Sequence, residues 1–337
     1  MSQSLVNPFF FGGGALADPT AYKELGRTEL SGTADYITVS GLTEMSHLMV
    51  LNDIRYSGSA NMRSSMQFNG DTAGNYSWTT SEVYGADSSA TGQTAVRNSG
   101  ADTWDMFVVG YIENIADKEK LVTSATVGAG NSGNNPPNRY ETAGKWANTS
   151  DQITEYSQYN DYTGDYGADS EVVVLGWTDG DDTGTPFWTE LATQTVSNSS
   201  FDLSFTAKKY LWLQYSVNLT SGSGNMLMRM NSDTGSNYNL RAAYDGGAGY
   251  TQNRSEINVW DPIANGVYYN VFILNIDGNP KLIIMDSTYA TTDGTSATAP
   301  RRATHDWKIE NTSQITRWQD TAGSASYDGT LTVWGSD

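Results

Sequence analysis

The sequence predicts an all-β chain: two tandem antiparallel β-sandwich domains, jelly-roll-like, derived from an internal duplication and preceded by an extended N-terminal arm. Three observations carry this. Aromatics make up 12% of the residues, with Tyr far ahead of Phe, charged residues only 17%, and Gly, Ser, Thr and Asn separate short apolar runs. That balance suits strands joined by many turns and not a helical bundle. Apolar residues recur with period two, and no segment sustains a helical period for three turns. Finally, motifs of the first half return in the same order in the second, at a shift of about 160 residues.

Residues 1–20 read as the arm. Phe9, Phe10 and Phe11 precede Gly12, Gly13 and Gly14. Three consecutive aromatics on a strand cannot all face one core, because side chains alternate faces. The Phe cluster is expected to anchor the chain in a neighbour, the alternative being a disordered tail.

The first repeat spans 21–178. Ile37 and Val39 alternate with polar residues, and Leu48–Ile54 is a denser apolar stretch. A strand follows around Asn61–Phe68, and Asn69-Gly70-Asp71 is a turn, since Asn and Gly accept positive φ at little cost. Trp104–Ile115 and Lys120–Val127 read as strands, Gly128–Pro137 as a polar loop, and Val172–Leu175 as the closing strand. An acidic linker covers 179–186. The second repeat spans 187–337, with Phe201, Leu203 and Phe205 alternating, then Leu211 to Leu219, then Met226, Met228 and Met230. Val267–Ile276 and Lys281–Met285 flank the turn Asp277-Gly278-Asn279-Pro280, and Leu331-Thr332-Val333 closes the copy.

The copies match collinearly. Glu24-Leu25 corresponds to Glu190-Leu191, and Asn69 to Tyr76 corresponds to Asn231 to Tyr238. Asn114 and Lys120 correspond to Asn275 and Lys281, and Trp146 to Trp307. Asn148-Thr149-Ser150 with Gln152-Ile153-Thr154 corresponds to Asn311 through Thr316. Tyr166 and the closing strand correspond to Tyr327 and its closing strand. A unit of this size with about eight strands suggests a jelly roll, and each copy is long enough to bury its own core.

Charge and composition exclude several classes. A formal charge of −19 repels a phosphate backbone, so nucleic acid and anionic membrane are poor partners. The chain has no cysteine, hence no disulfide or thiolate metal site. MSQSLVNPFFFGGG lacks a basic region and a sustained apolar core, so a secretory signal is not expected. The apolar runs fall short of the ~20 residues that span a bilayer, so no membrane insertion is expected.

Catalytic signatures are sparse. His47 and His305 are the only histidines and occupy non-equivalent places in the copies. Neither a GxSxG elbow nor a phosphate-binding GxxxxGK[ST] occurs. Paired carboxylates, as in a polysaccharide hydrolase, remain open because 38 acids offer many pairs. No catalytic residue is expected. What the copies share is turn, aromatic and apolar residues, the material of a scaffold, whereas the loops 128–138 and 289–302 differ. Tyr156, Tyr159, Tyr162 and Tyr250 are candidate glycan contacts, because a Tyr face is apolar and its edge polar. The alternative is that they pack on the fold.

The linker imitates a calcium loop. With Asp179 as position one, Asp181 is three, Thr183 five, Gly184 six and Glu190 twelve. Pro186 and the absence of flanking helices argue against calcium. So does Glu24, the counterpart of Glu190, which lacks an acidic loop before it. The readings are a solvated acidic spacer or a calcium site. No other cofactor is expected.

The repeated pattern of Trp146 or Trp307, then Asn-Thr-Ser and Gln-Ile-Thr, then Tyr and a closing Val-Leu-Gly or Val-Trp-Gly strand, resembles domains in virion structural proteins of tailed phages, particularly marine ones. The NPFFFGGG arm also looks like their short N-terminal anchors. The resemblance covers both repeats through short, degenerate motifs. It implies a non-enzymatic jelly-roll component on the virion surface: a capsid decoration protein, head fibre or tail appendage. Such a chain would be made in the host bacterial cytoplasm, attach to other virion proteins through its arm, and form a homo-oligomer. A tail-fibre-like adhesin for a cell-surface glycan is the second expectation, and a polysaccharide lyase or hydrolase the third.

Overall fold

The computed structural model describes residues 19–58, 60–82, 87–130, 133–181, 183–221, 226–244, 250–259, 266–289, 301–320 and 326–337. The Phe9–Phe11 cluster lies outside them. Apart from one 3-10 turn at Pro19–Ala21, every regular element among the described residues is a strand. Two compact units form, Asp18–Gly130 with Asn138–Phe187, and Trp188–Asp337 with Asn131–Pro137.

The first unit contains, in chain order, β1 (Lys23–Glu29), β2 (Tyr36–Ser40), β3 (His47–Ile54), β4 (Met62–Phe68), β5 (Tyr76–Glu82), β6 (Ser88–Gln93), β7 (Val96–Asp102), β8 (Met106–Glu113), β9 (Lys120–Gly128), β10 (Asn138–Trp146), β11 (Glu155–Tyr159) and β12 (Glu171–Trp177). An eight-stranded sheet runs β1-β12-β3-β8-β9-β10-β5-β6, and a four-stranded sheet runs β2-β11-β4-β7. Without the hairpins β5–β6 and β9–β10, eight strands remain. Renumbered, they run 1-8-3-6 in one sheet and 2-7-4-5 in the other, the order of a long hairpin wrapped into a jelly roll. The two extra hairpins extend only the larger sheet.

The core between the sheets follows from alternation. Ile37 and Val39 of β2, Leu48 and Val50 of β3, and Val172 and Val174 of β12 point into one cluster with Phe68, Trp146 and Tyr156. Met49, Leu51, Val173 and Leu175 on the opposite face of the larger sheet are also buried. That two-sided burial explains why Leu48–Leu51 and Val172–Leu175 read as continuous apolar runs.

The second unit repeats this plan with β13 (Thr189–Ser199), β14 (Asp202–Ser204), β15 (Tyr210–Ser221), β16 (Met226–Met230), β17 (Tyr238–Tyr244), β18 (Tyr250–Arg254), β19 (Ile257–Val259), β20 (Val267–Leu274), β21 (Lys281–Tyr289), β22 (Arg301–Ile309), β23 (Arg317–Asp320) and β24 (Ser326–Ser336). Its sheets run β13-β24-β15-β20-β21-β22-β17-β18 and β14-β23-β16-β19, the same order shifted by twelve strands. Even an irregularity recurs. Pairing slips between Glu24 and Gly26 opposite β12, and between Glu190 and Ala192 opposite β24. The bulge carries Leu25 or Leu191 over a glycine, and a Cβ on Gly176 or Gly335 would sit 2.6 Å from that leucine. Glu24-Leu25 and Glu190-Leu191 therefore match because they build one β-bulge.

Candidate functional site

The residues repeated between the copies turn out to hold the sandwiches together. Asn69 has φ 51° and Asn231 φ 53°. The Asn69 amide donates to the Gln152 carbonyl at 2.8 Å, and its oxygen accepts from the amides of Thr154 and Glu155. Asn231 repeats this with Gln314, Thr316 and Arg317. Asn114 donates to the carbonyls of Met45 and Ile153 and accepts from the Ile153 amide, as Asn275 does with Lys208 and Ile315. The Tyr76 hydroxyl accepts from the Phe68 amide, and Tyr238 does the same for Met230. Buried Lys120 donates to the carbonyls of Lys118 and Asn148, and Lys281 donates to those of Ile276, Asn279 and Thr312. Each of these side chains satisfies backbone groups where a connection leaves a sheet, groups that the ladders leave without a strand partner.

The histidines are likewise structural in setting. His47 stacks on Trp177 with centroids 4.9 Å apart. Burial lowers its pKa, opposed by the nearby Glu113. His305 is fully buried, takes a 3.1 Å hydrogen bond with the Tyr244 hydroxyl, and has its pKa lowered to about 3 by burial.

The acidic spacer is committed to the first unit. Asp181 pairs with Lys23 at 2.8 Å and accepts from the Thr183 hydroxyl at 2.6 Å and the Thr183 amide. These hydrogen bonds, from Lys23 first, hold its carboxyl well below the usual range. The Phe187 amide donates to the Tyr22 carbonyl. Asp179, Asp181 and Thr183 belong to the first compact unit and Glu190 to the second. Among the described residues no three His, Asp or Glu side chains cluster as metal ligands would.

A polar cavity of about 300 Å³ opens beside the turns of the first unit, lined by Glu44, Asn69, Ala116, Ser150, Asp151, Gln152 and Thr154. Asn69 is engaged as above, Gln152 donates to the Asn114 carbonyl, and Asp151 accepts from Asn148 and Ser150. Its polar lining thus serves the turns.

The four candidate tyrosines separate. Tyr156 is a correction. It is fully buried, and its hydroxyl accepts from Asn52 at 2.8 Å and bonds Gln158. Tyr156 and Tyr159 are three apart on one strand, so alternation puts them on opposite faces. A loop would leave both free to face outward, but a strand does not. Tyr250 begins β18, but its side chain lies outside the described residues.

Tyr159 and Tyr162 reach the surface. On the outer face of the four-stranded sheet, β11 presents Glu155, Ser157 and Tyr159, and β2 presents Tyr36, Thr38 and Ser40. The directly opposed Tyr36 and Tyr159 stack with ring centroids 4.6 Å apart and planes 16° from parallel. Burial, and then Tyr159, raises the Tyr36 pKa. Tyr162 is 46% exposed, with the Arg63 guanidinium 4.9 Å from its ring centre. Asn160, 2% exposed, joins these pieces. Its oxygen accepts from the amides of Arg63 and Tyr162, and its amide donates to Asp35 at 3.1 Å and to the Gly164 carbonyl. Tyr36 and Arg63 escaped the sequence reading. The signal for Tyr36 was its parity with Thr38 and Ser40, opposite to Ile37 and Val39.

No family model matches the chain. No curated protein matches it. Among solved structures, mouse laminin alpha1 chain domains LG4-5 align over 91% of this chain and 87% of theirs, at 11% identity and TM-score 0.20. A structure of botulinum neurotoxin type C, whose cell entry is described as dependent upon interaction with two ganglioside molecules, aligns over 89% and 92%, at 10% identity and TM-score 0.17. The STIV MCP aligns over 93% and 95%, at 10% identity and TM-score 0.16. TM-scores of this size carry no argument about what the chain does.

Proposed function

We propose that the chain is a non-enzymatic structural protein of a bacteriophage virion, exposed on the particle surface as a capsid decoration or head-fibre protein and attached through its N-terminal arm. The observation that supports this reading is what the duplication kept. Asn69, Asn114, Lys120 and Tyr76, with their counterparts, all serve turns and sheet junctions, so the repeated feature is a rigid jelly-roll body. A body used twice, with differing surfaces, suits a component whose task is to occupy and present a surface. The Trp, Asn-Thr-Ser, Gln-Ile-Thr and closing-strand pattern supports the virion setting by resemblance. Its partners on this reading are other virion proteins and further copies of itself.

The test is co-purification. The full chain, expressed during infection, should band with particles in a density gradient, and a chain lacking residues 1–14 should stay in the soluble fraction with unchanged circular dichroism. Retention of the truncated chain on particles would remove the anchoring role, and absence of the full chain from particles would remove the virion reading.

A second reading, a tail-fibre-like receptor- or glycan-binding adhesin, is favoured by the exposed Tyr36 and Tyr162, with the half-buried Tyr159 stacked on Tyr36.

A further inference from the structure

We propose that the outer face of the first unit's small sheet, at Tyr36, Tyr159, Tyr162 and Arg63, binds an uncharged hexopyranose unit of a glycan. The proposal deepens the adhesin reading by naming a site and a sugar class. It does not depend on where on a particle the chain sits.

The ring faces come first. Tyr36 is covered on one side by Tyr159 and is 43% exposed, so solvent meets its other face. Tyr162 is covered on one side by Arg63 and remains 46% exposed. A pyranose presents an apolar patch of axial C–H groups and a rim of hydroxyls. A Tyr side chain offers the matching pair, an apolar face and a polar edge. Large exposed aromatics grouped on one face of a compact unit are a mark of a binding surface.

Polar groups surround the rings. Asp35 and Asp161 supply acceptors, and the Arg63 guanidinium supplies donors. Its contacts with Asp161 are long, 3.5 Å. One guanidinium beside two carboxylates, on a chain of formal charge −19, disfavours a sialic or uronic acid and leaves hydroxyl recognition intact. That selects a neutral sugar.

The site is also held in place before any ligand arrives. Buried Asn160 fastens the start of β2 through Asp35, β4 through the Arg63 amide, and the Tyr162 amide. Gly164, at the end of this loop, packs so tightly that a Cβ there would meet the Ala60 carbonyl oxygen at 2.0 Å. Little ordering remains to oppose binding.

The second unit provides an internal contrast. The corresponding face of β14 and β23 carries Asp202, Arg317 and Gln319. Arg317 there is closed onto Asp202 by two bonds, of 2.8 and 2.6 Å. An outward aromatic pair matching Tyr36 and Tyr159 is absent among the described residues of these strands. The aromatic face is therefore a property of the first copy and not of the scaffold.

The test uses the full chain on an array of immobilised neutral hexose oligosaccharides, with sialylated and uronate-containing oligosaccharides beside them. The strongest neutral glycan is then titrated by calorimetry. The parent should bind a neutral glycan. Tyr36→Ala and Tyr162→Ala should each weaken it about tenfold or more, and the double variant should abolish it. Tyr36→Phe should stay within about threefold of the parent, and Arg317→Ala, on the other unit, should be unchanged. Tyr36 and Tyr162 are exposed, so unchanged circular dichroism is expected. Tyr36→Phe separates lost stacking from lost fold. Binding that survives the double variant, or that is confined to anionic glycans, overturns the proposed site and leaves the adhesin reading standing. A parent that binds no glycan overturns both.

Discussion

Asn69 offers the sharpest test of the scaffold. It sits in left-handed backbone at φ 51° and satisfies three half-buried backbone groups, at 2.8, 2.9 and 3.0 Å. Asn69→Ala removes all three bonds, each worth about 1 kcal/mol net. Alanine keeps a Cβ in this left-handed conformation as asparagine does, so that steric cost of roughly 1–2 kcal/mol is common to both and adds nothing to the loss. The expected loss is about 3 kcal/mol. Asn69→Gly removes the same bonds without the steric penalty, but glycine's extra freedom in the unfolded chain takes back roughly 0.5–1 kcal/mol of that relief. It should be milder than alanine by up to about 1 kcal/mol. Asn231, at φ 53° with bonds of 2.7, 2.9 and 3.1 Å, is a built-in replicate. Urea unfolding followed by tryptophan fluorescence, with hydrogen exchange read on peptides of each unit, measures both. The reasoning fails if Asn69→Ala stays within about 1 kcal/mol of the parent, or if glycine is clearly worse than alanine.

Three further outcomes are expected. The His305 pKa is depressed to about 3 in the fold, so the second unit should be most stable above the ordinary histidine pKa and weaken as pH falls toward the folded value. The slope is at most about 1.4 kcal/mol per pH unit, and His305→Gln should flatten it in denaturant titrations between pH 7 and 4.5. Gly176→Ala and Gly335→Ala, each placing a Cβ 2.6 Å from the bulge leucine, should each cost about 1–3 kcal/mol by overpacking, and a neutral melting shift in both would contradict that. Calcium titrated into the full chain should give no saturable heat, because Lys23 and Thr183 already occupy Asp181; a stoichiometric isotherm would restore the calcium reading of the spacer.

Much of the fold was legible where burial wrote a pattern. The runs Leu48–Ile54, Leu211 to Leu219 and Lys281–Met285 fall within β3, β15 and β21. The turn at Asn69-Gly70 was readable because few residues tolerate positive φ, and both adopt it. Other strands, β5, β6, β7, β10 and β11 among them, are not apparent in the sequence, for a physical reason. Ser88–Gln93, for example, is SSATGQ, on the outer edge of the larger sheet with no face that is buried throughout. Its pairing comes from backbone hydrogen bonds to β5, which leave no trace in side-chain hydrophobicity.

The same division applies to the candidate site. Tyr159 and Tyr162 were chosen for their chemistry, and so was Tyr156, because loop and strand could not be told apart there. Once Glu155–Tyr159 is a strand, alternation puts Tyr156 and Tyr159 on opposite faces, and the packing of the sheets makes Tyr156 the one in the core.

By itself the sequence determined the all-β class, the duplication, the order of its shared motifs and the left-handed turns, because each rests on local chemistry or on comparing the chain with itself. Only the tertiary structure decided that Lys23 holds Asp181, that Asn160 fastens three segments, and that Tyr36 stacks on a tyrosine 123 positions later. Those pairings depend on which strands lie side by side, and in a jelly roll the wrapping of a long hairpin sets that, so partners far apart in the chain meet without any local signal.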